Sequence, residues 1–181
     1  MSEDKRAVFL SYASQDAEAA RRICDSLRSA GVEVWFDQSE LRGGDAWDAK
    51  IRKQIKECAL FVPIISANTQ ARLEGYFRLE WKLAEDRSHL MAKGRLFIVP
   101  IVVDDTSDRD AHVPDSFLAV QWTGLPAGEA TPAFGARVRH LLTDRTGGAM
   151  RSSRTQGSQG RDEGTPKFPP AATKKAEDVR S

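Results

Sequence analysis

Tyr76 and Glu80 stand four residues apart in a stretch with helical periodicity, which sets an aromatic ring beside a carboxylate on one helix face. Taken alone, a helix-borne glutamate is most often solvated, and Lys82 or Arg87 could pair with it. Two polar clusters, Ser11 to Ser14 and Ser66 to Asn68, each close an apolar run, and Asp37 and Arg42 belong to a segment containing Gly43-Gly44. Other reactive types offer less. Cys24 and Cys58 fall on apolar helical stripes and read as small buried hydrophobes; two cysteines cannot build a disulfide framework. His89, His112 and His140 lack metal-ligand spacing, so no metal site is expected. No Gly-x-x-x-x-Gly-Lys-Ser/Thr loop is present, which excludes a P-loop nucleotide hydrolase. No Gly-x-Gly-x-x-Gly follows the first apolar run, which disfavours a hydride-transferring enzyme. A phospho-receiver domain needs acids where this chain has Ser11-Tyr12 and Ser66.

The hydrophobic pattern shows which elements must position these groups. Ala7 to Tyr12, Val32 to Asp37, Ala59 to Ser66 and Leu96 to Val103 are short apolar runs that predict strands buried on both faces. Phe117 to Trp122 predicts a fifth, edge strand. Pro63 and Pro100 interrupt two of these runs; each removes a ladder donor, so a local irregularity is expected. Between the strands, Ala20, Ile23, Cys24 and Leu27 recur at helical spacing, with Ser14 or Asp16 placed to start the helix. Trp47, Ile51, Ile55 and Cys58 mark a second helix that Asp45 can cap. Tyr76, Leu79, Leu83 and Leu90 mark a third, from Gly75 to about Leu90, and Phe134, Val138, Leu141 and Leu142 a last one from Thr131 to Leu142. Gln38 to Asp45, Ala67 to Glu74 and Asp104 to Asp115 read as loops. Strands alternating with helices at this rhythm predict an α/β fold: a flavodoxin-like five-stranded parallel sheet with helices on both faces, one domain over residues 6–144.

The bulk numbers agree with that organisation. A chain of 181 residues, 40% hydrophobic and 29% charged, suits one soluble domain plus an extension. The net charge of +1 hides an asymmetry, with +4 on residues 145–181 and −3 on the remainder. A mildly acidic globule with a basic tail is not the pattern of a nucleic-acid reader. Residues 1–5 read as a flexible N-terminus without an apolar signal segment. No run reaches the roughly 18 apolar residues of a membrane helix. A cytoplasmic protein with neither nucleic-acid nor membrane partners is therefore expected. Residues 145–181 are rich in Gly, Ser, Thr, Pro and basic residues, and read as a disordered tail or linker.

Three stretches carry a resemblance. Val8-Phe9-Leu10-Ser11-Tyr12 is similar to the first signature box of TIR domains. Val34-Trp35-Phe36-Asp37 through Leu41-Arg42-Gly43-Gly44-Asp45 resembles the second box and its mobile loop, and the third apolar strand ending in Ser66 also fits. The likeness spans about residues 6–144, in matching order and spacing. Enzymatic TIR domains carry a glutamate on the helix after the third strand, often as Trp-x-x-x-Glu. Here that stretch is Tyr76-Phe77-Arg78-Leu79-Glu80, with tyrosine in the tryptophan's place.

The resemblance implies a bacterial-type NAD+ hydrolase that cleaves the nicotinamide–ribose bond, giving ADP-ribose or a cyclic isomer. The transition state of such a cleavage resembles the oxocarbenium ion of glycoside hydrolysis. Nicotinamide leaves as a neutral molecule and needs no strong acid. One carboxylate beside the ribose can stabilise the developing cation and hold the hydroxyls. The resemblance thus makes Glu80 the catalytic residue, expected at the rim near the carboxyl ends of the first and third strands. Tyr12, Ser14, Asp37, Arg42, Gly44 and Tyr76 are expected to bind substrate, with Trp35 and Trp47 as packing. NAD+ enters as substrate, and no cofactor is expected. Family members assemble through TIR–TIR contacts, so self-association, contacts with other TIR domains and a part in defence signalling are implied. The alternative is a non-enzymatic TIR–TIR adaptor or effector.

Overall fold

Every residue of β1 (Val8–Ser11) is buried, as its apolar run requires. β1 pairs in parallel with β2 (Val34–Trp35) on one side and with β3 (Leu60–Ile65) on the other. β4 (Ile101–Val102) and β5 (Thr123–Gly124) continue the sheet, again parallel, in the order β2-β1-β3-β4-β5. This is the flavodoxin-like order. The helices are α1 (Ala17–Ser29), α2 (Asp45–Glu57), α3 (Ala67–Ala71), α4 (Tyr76–His89), α5 (Asp115–Leu118) and α6 (Pro132–Gly147). The structure, a computed structural model, describes residues 7–36 and 44–147, with side chains to 144. The expected flexible N-terminus, Asp37, Arg42 and the tail from 148 lie outside the described residues.

Alternation along the strands divides the core into two layers. Val8 and Leu10 of β1 join Leu60, Val62 and Ile64 of β3 against Ile23 and Leu27 of α1 and Val138 of α6. Phe9, Phe61 and Ile65 face the other way, against Ile51 and Ile55 of α2 and Phe77 and Trp81 of α4. Both faces of the sheet are thus covered, as the parallel topology demands.

Pro63 produces the expected irregularity. It lies in register with Ser11, and on its other side the pairing breaks into an isolated Phe61–Ile98 bridge and a ladder that resumes at Ile64–Ile101. Phe61 exchanges its backbone bonds with Phe97 and Val99. Two residues on, Pro63 points the same way but has no N–H to give.

The structure corrects two elements and the end of a third. Phe117 to Trp122 is not a strand: Asp115–Leu118 forms α5, and the edge strand is Thr123–Gly124. Pro114 precedes this helix with a φ of −57° and Asp115 supplies a first-turn acid, so the run begins helically. Phe117 is fully buried against Phe61 and Trp81. The expected loop Ala67 to Glu74 begins with α3, whose cap is Ser66: its Oγ accepts from Thr69 N at 3.2 Å, and Thr69 Oγ1 accepts from Ser66 N at 3.0 Å. The last helix also runs to Gly147, three residues into the segment read as tail.

The layers are tied by backbone approaches that tolerate little change. Arg87 of α4 donates to the carbonyls of Ile55 and Cys58, both at 2.7 Å, so a cation closes the carboxyl end of α2 while lying over Phe97. Gly128 has a φ of +77°, and a Cβ there would stand 2.4 Å from the carbonyl oxygen of Ala19 in α1. Gly128→Ala is expected to cost about 1–3 kcal/mol from the steric clash alone, with backbone strain in addition. Urea unfolding checks this; an unchanged midpoint would contradict the close approach.

Candidate active site

In this sheet the chain leaves β1 toward one edge and returns through β3 toward the other, so the carboxyl ends of β1 and β3 flank the crevice where ligands bind in open α/β folds. α4 delivers Glu80 to that crevice. The helix buries Phe77, Glu80, Trp81 and Ala84, an i, i+3, i+4, i+7 stripe. This corrects the expected stripe. Tyr76 is 36% exposed and Leu90 is 89% exposed, while Leu79 and Leu83 are only partly buried. The two candidate faces lie one residue apart around the helix, and the face carrying the larger rings of Phe77 and Trp81 turned inward. Glu80 therefore lies within the buried stripe and not at its border.

A buried carboxylate is costly unless hydrogen-bonded. On β1, Ser11 shares the parity of Phe9 and faces α4. Its Oγ donates to Glu80 Oε2, and both residues are buried. Around this pair Phe9, Tyr12, Trp35, Trp47, Ile51 and Gln54 wall a cavity of about 10 Å³, room for one water.

The other sequence-predicted residues separate into three groups. Tyr12 lines the cavity, with its ring packed on Phe36 at 5.1 Å. Tyr76 does not line it, but meets the edge of Trp47 at 4.8 Å. Gly44 stands at the N-terminus of α2 with a φ of +102°, which favours glycine, and its carbonyl accepts from Trp47 N and Asp48 N. Ser14 lies apart from Glu80 in a second polar cluster. There Asp16, buried, accepts from Ser66 Oγ at 2.5 Å and Asn68 Nδ2 at 2.7 Å, joining the exits of β1 and β3. Ser14 Oγ accepts from Arg72 Nη1 at 3.2 Å.

Sequence reasoning took Trp35 and Trp47 as packing, whereas both also border the carboxylate's cavity. Their position on either side of the Gly43-Gly44 segment was the available signal. Side chains in a first helical turn lean toward the helix N-terminus, which for Trp47 is Gly44. Both cysteines are buried as expected, and burial pushes the Cys24 thiol up.

A doubly wound α/β domain with a buried glutamate carried by α4 to its switch point is the class these features define. A family model described as TIR domain matches residues 8–142, and the chain belongs to that family. It is 31% identical over 97 residues to the NAD(+) hydrolase PdTIR of Paracoccus denitrificans, a match covering 52% of this chain and 30% of that protein. It is 30% identical over 101 residues to the 2′ cyclic ADP-D-ribose synthase BtTIR of Bacteroides thetaiotaomicron, covering 55% of this chain and 33% of that one. The chain thus spans about a third of the length of these curated relatives. In fold it is similar to a metazoan TIR-STING receptor from C. gigas, with a TM-score of 0.55 and 20% identity over 75% of this chain and 38% of that chain. Among the described residues no helix is long and apolar enough to cross a membrane.

Proposed function

We propose that this chain is an NAD+ hydrolase that cleaves the nicotinamide–ribose bond, releasing nicotinamide and ADP-ribose or a cyclic isomer. The observation that carries this reading is Glu80, buried at the β1–β3 switch point and held by the Ser11 hydroxyl. The two relatives described as acting on NAD+ or forming its cyclic product support it. As the nicotinamide–ribose bond lengthens, positive charge spreads over the ribose ring. A carboxylate fixed in a water-poor crevice stabilises that charge with little reorganisation. The Ser11 donor holds the carboxylate in place, and the indoles of Trp35 and Trp47 supply the apolar walls an aromatic base needs.

A cavity of about 10 Å³ is too small for a nicotinamide ring, so the crevice must widen before reaction. The α2 N-terminus, with Gly44 and Trp47, is the element placed to move. Contact with a second copy can hold it open, and this ties activity to TIR–TIR self-association. Defence signalling in the cytoplasm, by self-assembly or with other TIR domains, is the setting this reading takes.

The test is nicotinamide release from NAD+ by dilute and by concentrated or crowded protein. Turnover per molecule should rise at least tenfold with assembly. An assembled protein that releases no nicotinamide would favour the non-enzymatic adaptor. Within this reading, Ser11→Ala removes one hydrogen bond to a charged group, worth about 1.5–3 kcal/mol, and should lower kcat about tenfold or more. A variant with wild-type kcat would remove Ser11 from the mechanism.

A further inference from the structure

Arg72 caps α3 on the exits of β1 and β3, and among the described residues no acid pairs with it. Its backbone N donates to the Asn68 carbonyl at 3.2 Å. Its own carbonyl accepts from Arg78 Nε at 3.1 Å and Nη2 at 3.0 Å. The guanidinium is half-buried and turns back across the rim, where Nη1 donates to Ser14 Oγ at 3.2 Å and Gln15 Oε1 at 3.1 Å. Both acceptors are neutral, and both distances are long for a charged donor. Among the described residues nothing engages Nε or Nη2. The nearest acid on that turn, Asp16, is buried and committed to Ser66 and Asn68. An anchored guanidinium with a free edge therefore faces solvent at the mouth of the sheet.

Its position suits one part of the substrate. Ser14 follows Ser11, the partner of Glu80, by three residues, so it lies within about 10 Å of it along the chain. That is the scale of a nucleoside with its 5′-phosphate. Nε and one Nη of an arginine form a planar fork that matches two phosphate oxygens.

We propose that Arg72, with the Ser14 hydroxyl, binds the phosphate groups of the dinucleotide, and so sets the preference for a phosphorylated pyridine nucleoside over the bare nucleoside. This rests on the NAD+ reading above and adds the group that grips the substrate away from the bond that breaks. A contact made equally before and during bond cleavage raises KM when lost and leaves kcat alone.

The experiment compares the full chain with Arg72→Gln and Arg72→Lys, under the same crowded conditions, using NAD+ and nicotinamide riboside. Arg72→Gln should raise KM for NAD+ about tenfold, the scale of one charge-assisted contact, with kcat within twofold. Arg72→Lys should fall between that variant and wild type. For nicotinamide riboside, as substrate or as competitor of NAD+, the effect of either variant should stay under twofold. Equal losses with both compounds, or an unchanged KM for NAD+, would overturn the phosphate role while the NAD+ reading stands. If wild type releases no nicotinamide from NAD+, that reading falls and this role falls with it. Urea midpoints of both variants separate loss of binding from loss of fold.

Discussion

On the proposed NAD+ reading, Glu80→Gln is expected to lower nicotinamide release about 100- to 1000-fold while the domain stays folded. The magnitude is that of removing one preorganised electrostatic contact to a transition state. The amide keeps nearly the same volume and still offers an oxygen to the Ser11 hydroxyl, so packing around α4 is conserved. What it lacks is the negative charge that, in the proposed reaction, would meet the developing oxocarbenium ion. Stability should be equal or higher, because an uncharged amide is cheaper to bury at a position only 5% exposed. Assembled wild type and variant are to be compared by chromatography of released nicotinamide, with urea unfolding alongside. Activity within tenfold of wild type would remove Glu80 from the catalytic role. A collapsed urea midpoint would show that the charge serves the fold.

The largest effect on stability is expected next to it on α4. Trp81 is 1% exposed and meets Phe77 at 5.1 Å and Phe117 at 5.3 Å, with the Arg78 guanidinium 5.1 Å from its ring. Trp81→Ala should cost about 3–5 kcal/mol, the range for emptying an aromatic site in a packed core. Trp81→Phe should cost much less than that. The indole Nε1 is buried with no hydrogen-bond partner among the described residues, and phenylalanine removes this unsatisfied donor along with part of the ring. Urea midpoints decide the matter. A phenylalanine variant as unstable as the alanine one would mean that the N–H is satisfied or that shape alone governs the site.

The two variants bear on neighbouring residues of one helical stripe, and the sequence announced that stripe imperfectly. In α4, residues 76, 79 and 83 and residues 77, 81 and 84 form two apolar sets offset by one position, and periodicity favours neither. The choice between them fell to the space above β1 and β3, where Phe61, Phe97 and Phe117 leave room for Phe77 and Trp81. That choice also carried Glu80 inward. The run from Phe117 to Trp122 posed a similar ambiguity, since a short apolar segment fits a strand or a buried helical turn. The Pro114-Asp115 start signal and the pocket for Phe117 settled it as a helix.

Local patterns did determine the alternation of strands and helices, the burial of both sheet faces, the proline break in β3 and the residue types at the exits of β1 and β3. Each of these depends on side chains a few residues apart, and spacing over a few residues is what a sequence displays directly. The meeting of Ser11 with Glu80 spans 69 positions, and that of Arg72 with Ser14 spans 58. No local spacing encodes such pairs. They arise because the crossovers of a parallel sheet pack α4 against β1 and the packed rings fix the rotation of that helix, so the carboxylate meets its hydroxyl donor, and the Arg72 guanidinium meets Ser14, only in the tertiary structure.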